Sequence, residues 1–212
     1  MKKKPLISAL EPRILFDGAA VATAADTLDN SSFYNAPEDN SAIPAAVESS
    51  PSNDKKEIAF VDSGVEDYQT LIDGLDSSIE VYILDGTQNG LDQIASILEG
   101  KNDIDAMHIL SHGSTGEITI GNSVLNSENL SSFELTLQDI GNSLTNNGDI
   151  LLYGCNVGAN GEGESFVDAI ANATSADVAA SDDITGAQSL GGDWELEYDT
   201  GVIDVDDLNI EN

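Results

Sequence analysis

Two residues able to do covalent chemistry stand at the ends of two apolar runs. Met107-His108-Ile109-Leu110-Ser111-His112-Gly113 closes on an imidazole followed by glycine. Ile150-Leu151-Leu152-Tyr153-Gly154-Cys155 closes on the only thiol in the chain. A thiol beside an imidazole is the minimum equipment for a cysteine nucleophile: Sγ attacks a carbonyl carbon while the imidazole carries the proton. The bland reading of Cys155 is a small hydrophobe in a core. His108, four residues before His112 and on the same strand face, is expected to be a satisfied core histidine. A zinc site of His108, His112 and Cys155 is disfavoured, because four residues along a strand span about 13 Å.

The elements that must position this pair follow from periodicity. Glu57–Asp62 and Ile79–Leu84 read as strands, the second leaving through Asp85-Gly86. Between them Tyr68, Leu71, Ile72 and Leu75 have helical spacing, as do Leu91, Ile94, Ala95 and Leu98 before Gly100. The third strand is Ala106–Leu110. Gly116–Leu125 reads as a hairpin turning at Gly121-Asn122. Residues 126–147 read as a helix with Leu135, Ile140 and Leu144 inward. Asp149–Tyr153 is the next strand, and a glycine-rich loop from Gly158 to Gly163 precedes a helix with Phe166, Ile170 and Ala173 inward. Asp177–Ala180, Trp194–Tyr198 and Gly201–Val205 complete the strands. Alternating strands and helices imply an α/β fold with a mostly parallel sheet and right-handed crossovers. Such a sheet puts the C-terminal ends of its strands side by side, where open α/β sheets bind ligands.

Composition divides the chain. All five prolines lie in residues 1–56, which otherwise drift through Ala, Ser, Asn and Asp; this segment is expected to be a disordered tail. Residues 57–205 form the domain, and 206–212 are expected to be a C-terminal tail. Six of the seven basic residues precede position 57, so residues 57–212 hold 31 acidic residues and one basic residue, Lys101. The net charge of −32 excludes phosphate neutralisation, and with it nucleic acid as a partner. No stretch is long and apolar enough to span a bilayer. Lys2-Lys3-Lys4 resembles the start of a signal peptide, but Pro5, Glu11 and Arg13 interrupt the apolar part, and no cleaved signal is expected. A lone cysteine excludes an internal disulfide. The acidity is expected to be a solvated surface, with calcium as a possible activator or surface ligand and no other cofactor; no EF-hand or glycine-rich calcium repeat is present.

Several stretches resemble known families. Leu10-Glu11-Pro12-Arg13-Ile14-Leu15-Phe16-Asp17-Gly18-Ala19-Ala20 resembles the Leu-Glu-Pro-Arg motif near the N-terminus of very large bacterial surface proteins. The His112-Gly113 and Gly154-Cys155 strand ends, with His before Cys, resemble the caspase-like (clan CD) cysteine peptidases. More closely, His108–Gly113, Leu151–Asn156 and Gly191-Gly192-Asp193-Trp194-Glu195-Leu196 resemble an uncharacterised bacterial domain family near the N-terminus of giant cadherin- or RTX-repeat adhesins. This likeness covers about 150 of 212 residues.

The resemblance implies a caspase-like three-layer sandwich and a cysteine endopeptidase, with His112 and Cys155 catalytic and the backbone N–H groups of Gly113 and Cys155 as oxyanion donors. Glycine at 113 would leave room for substrate backbone. Cys155 opens the segment leading into a helix, whose dipole would favour its thiolate. Asp62 and Asp85, at strand ends, are candidates for a third member, against strand-end turn chemistry as the plainer role. Asp85, Ser181, Asp182 and Asp183 are candidates for a substrate pocket suited to Lys or Arg. Lys55-Lys56 is the candidate self-cleavage site. The partner would be a protein or peptide, such as the chain's own tail or an adhesin, on the surface of a bacterium or secreted from it. The alternative is a non-catalytic module for surface retention or assembly.

Overall fold

The computed structural model describes residues 55–210. The expected tail 1–54, including the Leu-Glu-Pro-Arg segment, and the last two residues lie outside the described residues. Among the described residues, nine strands and four α-helices run in the order β1 (Glu57–Asp62), α1 (Tyr68–Gly74), β2 (Glu80–Leu84), α2 (Gly90–Leu98), β3 (Ile104–Leu110), β4 (His112–Ser114), β5 (Glu117–Ile120), β6 (Ser123–Asn126), α3 (Glu134–Gly141), β7 (Leu144–Tyr153), α4 (Asn160–Thr174), β8 (Asp177–Ala180) and β9 (Tyr198–Asp199).

The central sheet has strand order β2-β1-β3-β7-β8-β9, parallel except for β9. The chain steps outward from β1 to β2, then returns past β1 to β3 and continues the other way. With right-handed crossovers, that reversal puts α1 on one face and the later helices on the other. Alternating side chains feed both layers. Ile58, Phe60, Met107, Ile109, Ile150 and Leu152 pack under α2, α3 and α4. Ala59, Val61, Ala106, Leu110, Leu151 and Tyr153 face α1 and the irregular C-terminal chain. Burial on both faces is the reason these strands read as unbroken apolar runs. The expected mixed α/β architecture, a mostly parallel sheet flanked by helices, is what the chain forms.

Four local expectations need correction. The helix expected over 126–147 is a 3₁₀ turn, Leu130–Phe133, followed by α3. Ser143 ends it, its N–H and hydroxyl both donating to Ile140 O, and Leu144 enters β7 opposite Ile104. Leu137 and Ile140 face inward, whereas Leu135 is 76% exposed. The hairpin is a separate three-stranded sheet, because His112–Ser114 pairs with it as β4. The strands expected at 194–205 reduce to β9; Trp194, Leu196, Ile203 and Val205 lie on the α1 face instead of pairing. Residues 206–210 are no loose tail: Leu208 and Ile210 are buried, and Leu208 N–H donates to Tyr153 Oη at 2.9 Å.

Candidate active site

Leu110 of β3 is paired with Tyr153 of β7, so His112 and Cys155 each stand two residues beyond neighbouring positions at the C-terminal edge of the sheet. His112 is exposed and held by β4, where it pairs with Thr119. Its Nε2–H donates to Gly64 O at 3.3 Å. Gly64 follows β1, so this contact spans the point between β1 and β3 at which the strand order reverses. With Nε2 carrying the hydrogen, neutral His112 keeps the lone pair on Nδ1. Cys155 is half-buried, with Sγ 3.7 Å from Thr185 O.

Both residues line one cavity of about 620 Å³. Leu110 and Tyr153 form its floor, Val65–Asp67, Thr70 and Leu71 one side, and Ile184–Ala187, Leu190, Gly192 and Trp194 the other. The two reactive loops touch through glycine. A Cβ on Gly113 would stand 2.4 Å from Val157 Cγ2 and 3.1 Å from Gly154 C. Glycine at 113 therefore serves loop packing, a reason closer to hand than the substrate access expected from sequence. The segment that Cys155 opens leads into α4, which begins at Asn160, within the glycine-rich stretch expected to be loop. Gly113 and Cys155 are adjacent, but nothing in the contacts assigns them as oxyanion donors.

The candidate third members have turn roles. Asp62, buried at the end of β1, accepts from Gly64 N–H at 2.8 Å and from Gly121 N–H at 2.6 Å. It reaches His112 only by fixing Gly64. Asp85 accepts from Thr87 N–H, Thr87 Oγ1 and Gln88 Nε2. The hydroxyl of Thr87 and the amide of Gln88 hold its carboxyl below the usual range. His108 is fully buried: Nε2 faces Glu57 Oε2 at 3.0 Å, its ring stacks on Tyr153 at 6.0 Å, and Nδ1 has no partner. It is a core residue as expected, with one nitrogen unsatisfied.

The expected substrate-pocket residues do not line the cavity. Asp85 is at the far edge strand, Ser181 is buried, and Asp182 and Asp183 are exposed. Asp182 N–H donates to Glu197 Oε2 instead, and Asp183 O accepts from Asn156 N–H. Asp183 does join Asp193 and Glu197 in a cluster whose carboxylate oxygens lie within 4.8 Å of one another, a grouping able to hold a metal ion. Burial, with the charges of Asp183 and Asp182, pushes the Glu197 carboxyl up.

Lys55-Lys56 stands at the opposite edge from Cys155. β1 separates it from the cavity edge by six residues, about 20 Å. Lys56 is tied into the sheet, its N–H donating to Asp105 Oδ2 and its carbonyl accepting from Asp105 N–H. Lys55 Nζ donates to Asp204 O. A cut there by the same molecule is incompatible with this fold.

Residues that sequence reasoning left out of the site are Gly64, Ile184, Thr185 and Trp194. Gly64 acts through its carbonyl, which no residue type advertises. Trp194 lies within the Gly191–Leu196 stretch already singled out, and as the only tryptophan it was the available signal.

Residues 58–211 match the model of a family described as a domain of unknown function, DUF4347. The chain belongs to that family. No curated protein matches the sequence of the chain. Among solved structures, the DUF4347 domain is similar to one titled a small-chain dehydrogenase, at 10% identity and a TM-score of 0.32, covering 57% of this chain and 77% of that one. A second is the protein lin1944 from Listeria innocua, at 15% identity and a TM-score of 0.27, covering 56% of this chain and 65% of that one. Likenesses this distant say nothing about what the DUF4347 domain does.

Among the described residues no helix is long and apolar enough to cross a membrane.

Proposed function

We propose that this domain is a cysteine endopeptidase in which Cys155 is the nucleophile and His112 the general acid–base, acting in the processing of a secreted or surface adhesin. One observation carries the reading: the thiol and the imidazole, from neighbouring strand ends, open into the same cavity. The likeness of the His112-Gly113 and Gly154-Cys155 strand ends to those of caspase-like peptidases supports it.

The chemistry is that of acyl transfer. Cys155 gives its proton to His112 Nδ1 as Sγ bonds to the peptide carbonyl carbon. The C–N bond then breaks, and His112 returns the proton to the leaving amine. Water hydrolyses the thioester, its proton passing through the same nitrogen. Gly64 O holds Nε2–H and so fixes the tautomer. The N–H groups of Gly113 and Cys155 are the donors to the developing oxyanion in this reading. Calcium enters as an activator or surface ligand at Asp183, Asp193 and Glu197, and a calcium-dependent rise in the thermal midpoint checks that role. Because Lys55-Lys56 lies at the wrong edge, processing acts on other chains or other bonds.

The test is intact mass of the full chain beside Cys155→Ala, each incubated with reductant and calcium, in parallel samples with and without a peptidyl electrophile. A Cys155-dependent adduct supports the enzyme, and Cys155-dependent loss of a fragment supports self-processing. Equal, unreactive masses sink both. The second reading, a non-catalytic module for retention or assembly, is favoured by two observations: among the described residues no carboxylate hydrogen-bonds His112, and the thiol rests against Thr185 O.

A further inference from the structure

The walls of the cavity differ in chemistry. Beside the thiol runs the loop after β8: Cys155 Sγ faces Thr185 O, and Asn156 N–H donates to Asp183 O at 2.6 Å. From this loop Ile184 and Leu190 line the cavity while remaining 52% and 84% exposed. Trp194 closes the wall, its ring 6.1 Å from that of Tyr153. A single exposed aliphatic side chain needs no explanation. Two of them and an indole bordering one concavity, with a thiol in its wall, form a recognition surface. Beside the imidazole, Glu66 and Asp67 follow Gly64, and both are exposed. Among the described residues no lysine or arginine lines the cavity. Lys101, the one basic residue after position 56, is engaged with Glu80.

We propose that this cavity is a subsite for a large apolar side chain of a peptide, Leu, Met or Phe in class, carried next to a basic residue. The apolar side chain packs against Ile184, Leu190 and Trp194. The basic neighbour meets Glu66 and Asp67, and the acidic surface as a whole repels acidic peptides. This rests on the peptidase reading and narrows its substrate. It replaces the preference for Lys or Arg in an acidic pocket, since Asp182 and Asp183 do not line the cavity.

Trp194 is the only tryptophan, so its fluorescence reports the cavity without a label. The full chain carrying Cys155→Ser is titrated with blocked peptides Ala-Leu-Arg, Ala-Phe-Arg, Ala-Gly-Arg and Ala-Leu-Glu. The Leu and Phe peptides are expected to give saturable changes and to bind about 10-fold or more tightly than the Gly peptide. Ala-Leu-Arg should exceed Ala-Leu-Glu at low salt, with the gap closing as salt screens it. Ile184→Asp with Leu190→Asp, both at exposed positions, should erase the preference for Leu while leaving the thermal midpoint near that of the parent. Equal binding of all four peptides, no saturable change, or an undiminished preference in the double variant overturns the subsite. The two readings fail separately. If wild type cleaves peptides through Cys155 without apolar preference, only the subsite falls. If apolar peptides bind Cys155→Ser but wild type cleaves none, the peptidase falls and a peptide-binding cavity stands.

Discussion

Gly113 and Gly154 lie backbone to backbone: a Cβ built on Gly154 would stand 3.3 Å from Gly113 N and 3.4 Å from its Cα. The loops that carry His112 and Cys155 are thus held together by the absence of two side chains. Gly113→Ala would drive a methyl group into the fully buried Val157. Overpacking of that kind costs about 1–3 kcal/mol. Urea unfolding should show this loss, and adding Val157→Ala should not deepen it by the full cost of a cavity, because the new methyl group fills part of the space. Full additivity of the two losses would show that the loops can part without cost.

The C-terminal segment makes a second prediction. Leu208 and Ile210 are buried against the α1 face, and Tyr153 Oη accepts from Leu208 N–H. Ending the chain after Val205 removes two buried aliphatic side chains, each worth about 1.5–3 kcal/mol. Tyr153→Phe leaves a buried N–H unpaired at about 1–3 kcal/mol. Denaturant midpoints should fall in both variants, further in the truncation. An unchanged midpoint on truncation would restore the tail reading of residues 206–212.

Stability should also depend on pH through Asp149. This residue is buried at the start of the regular β3–β7 pairing; Oδ2 accepts from Asp204 N–H at 2.8 Å, and Oδ1 has no partner. Burial, reinforced by the charges of Asp204 and Asp177, raises its carboxyl above the usual range. A raised folded value means the contribution is fully present below the unfolded value and is lost as pH rises through the folded one. Stability should therefore fall from about pH 4 toward neutrality. The raised carboxyls of Asp199 and Asp207, also shifted by burial, act in the same sense. Asp76 and Asp85, lowered by turn hydrogen bonds, act oppositely but are exposed and screened. Asp149→Asn should flatten the decline. Equal slopes in parent and variant would remove Asp149 from the account.

If fragments ending near Lys55-Lys56 appear, they come from encounters between molecules. Their initial rate of formation should then grow with the square of protein concentration. A rate simply proportional to concentration would mean that one molecule reaches its own opposite edge, against the length of β1.

What the sequence revealed and concealed follows from which interactions are local. The long strands were legible because burial on both faces writes them as apolar runs, as in Ile150–Tyr153. The thiol and imidazole were legible because few residue types do such chemistry. Helix α3 was misjudged because Leu135 and Leu137 look alike until packing against α2 and α4 chooses Leu137. Leu144 looked helical because its strand partner, Ile104, lies forty residues away. The tail reading of 206–210 failed for the same reason: Leu208 is ordered by Tyr153, 55 residues earlier. Ile184, Leu190 and Trp194, which line the cavity where Asp85, Ser181, Asp182 and Asp183 do not, sit on a loop without periodicity and so give no periodic signal in the sequence.

The uneven dressing of the sheet has a consequence for how such domains diversify. Three helices cover one face, but one seven-residue helix and two irregular segments cover the other, and the cavity lies on that side. Insertions and exchanges between residues 181 and 197 can reshape what the cavity admits while the layer of α2, α3 and α4 goes on holding the strands. A change in the cavity wall therefore need not disturb the layer that holds the strands, because the two lie on opposite faces of the same sheet.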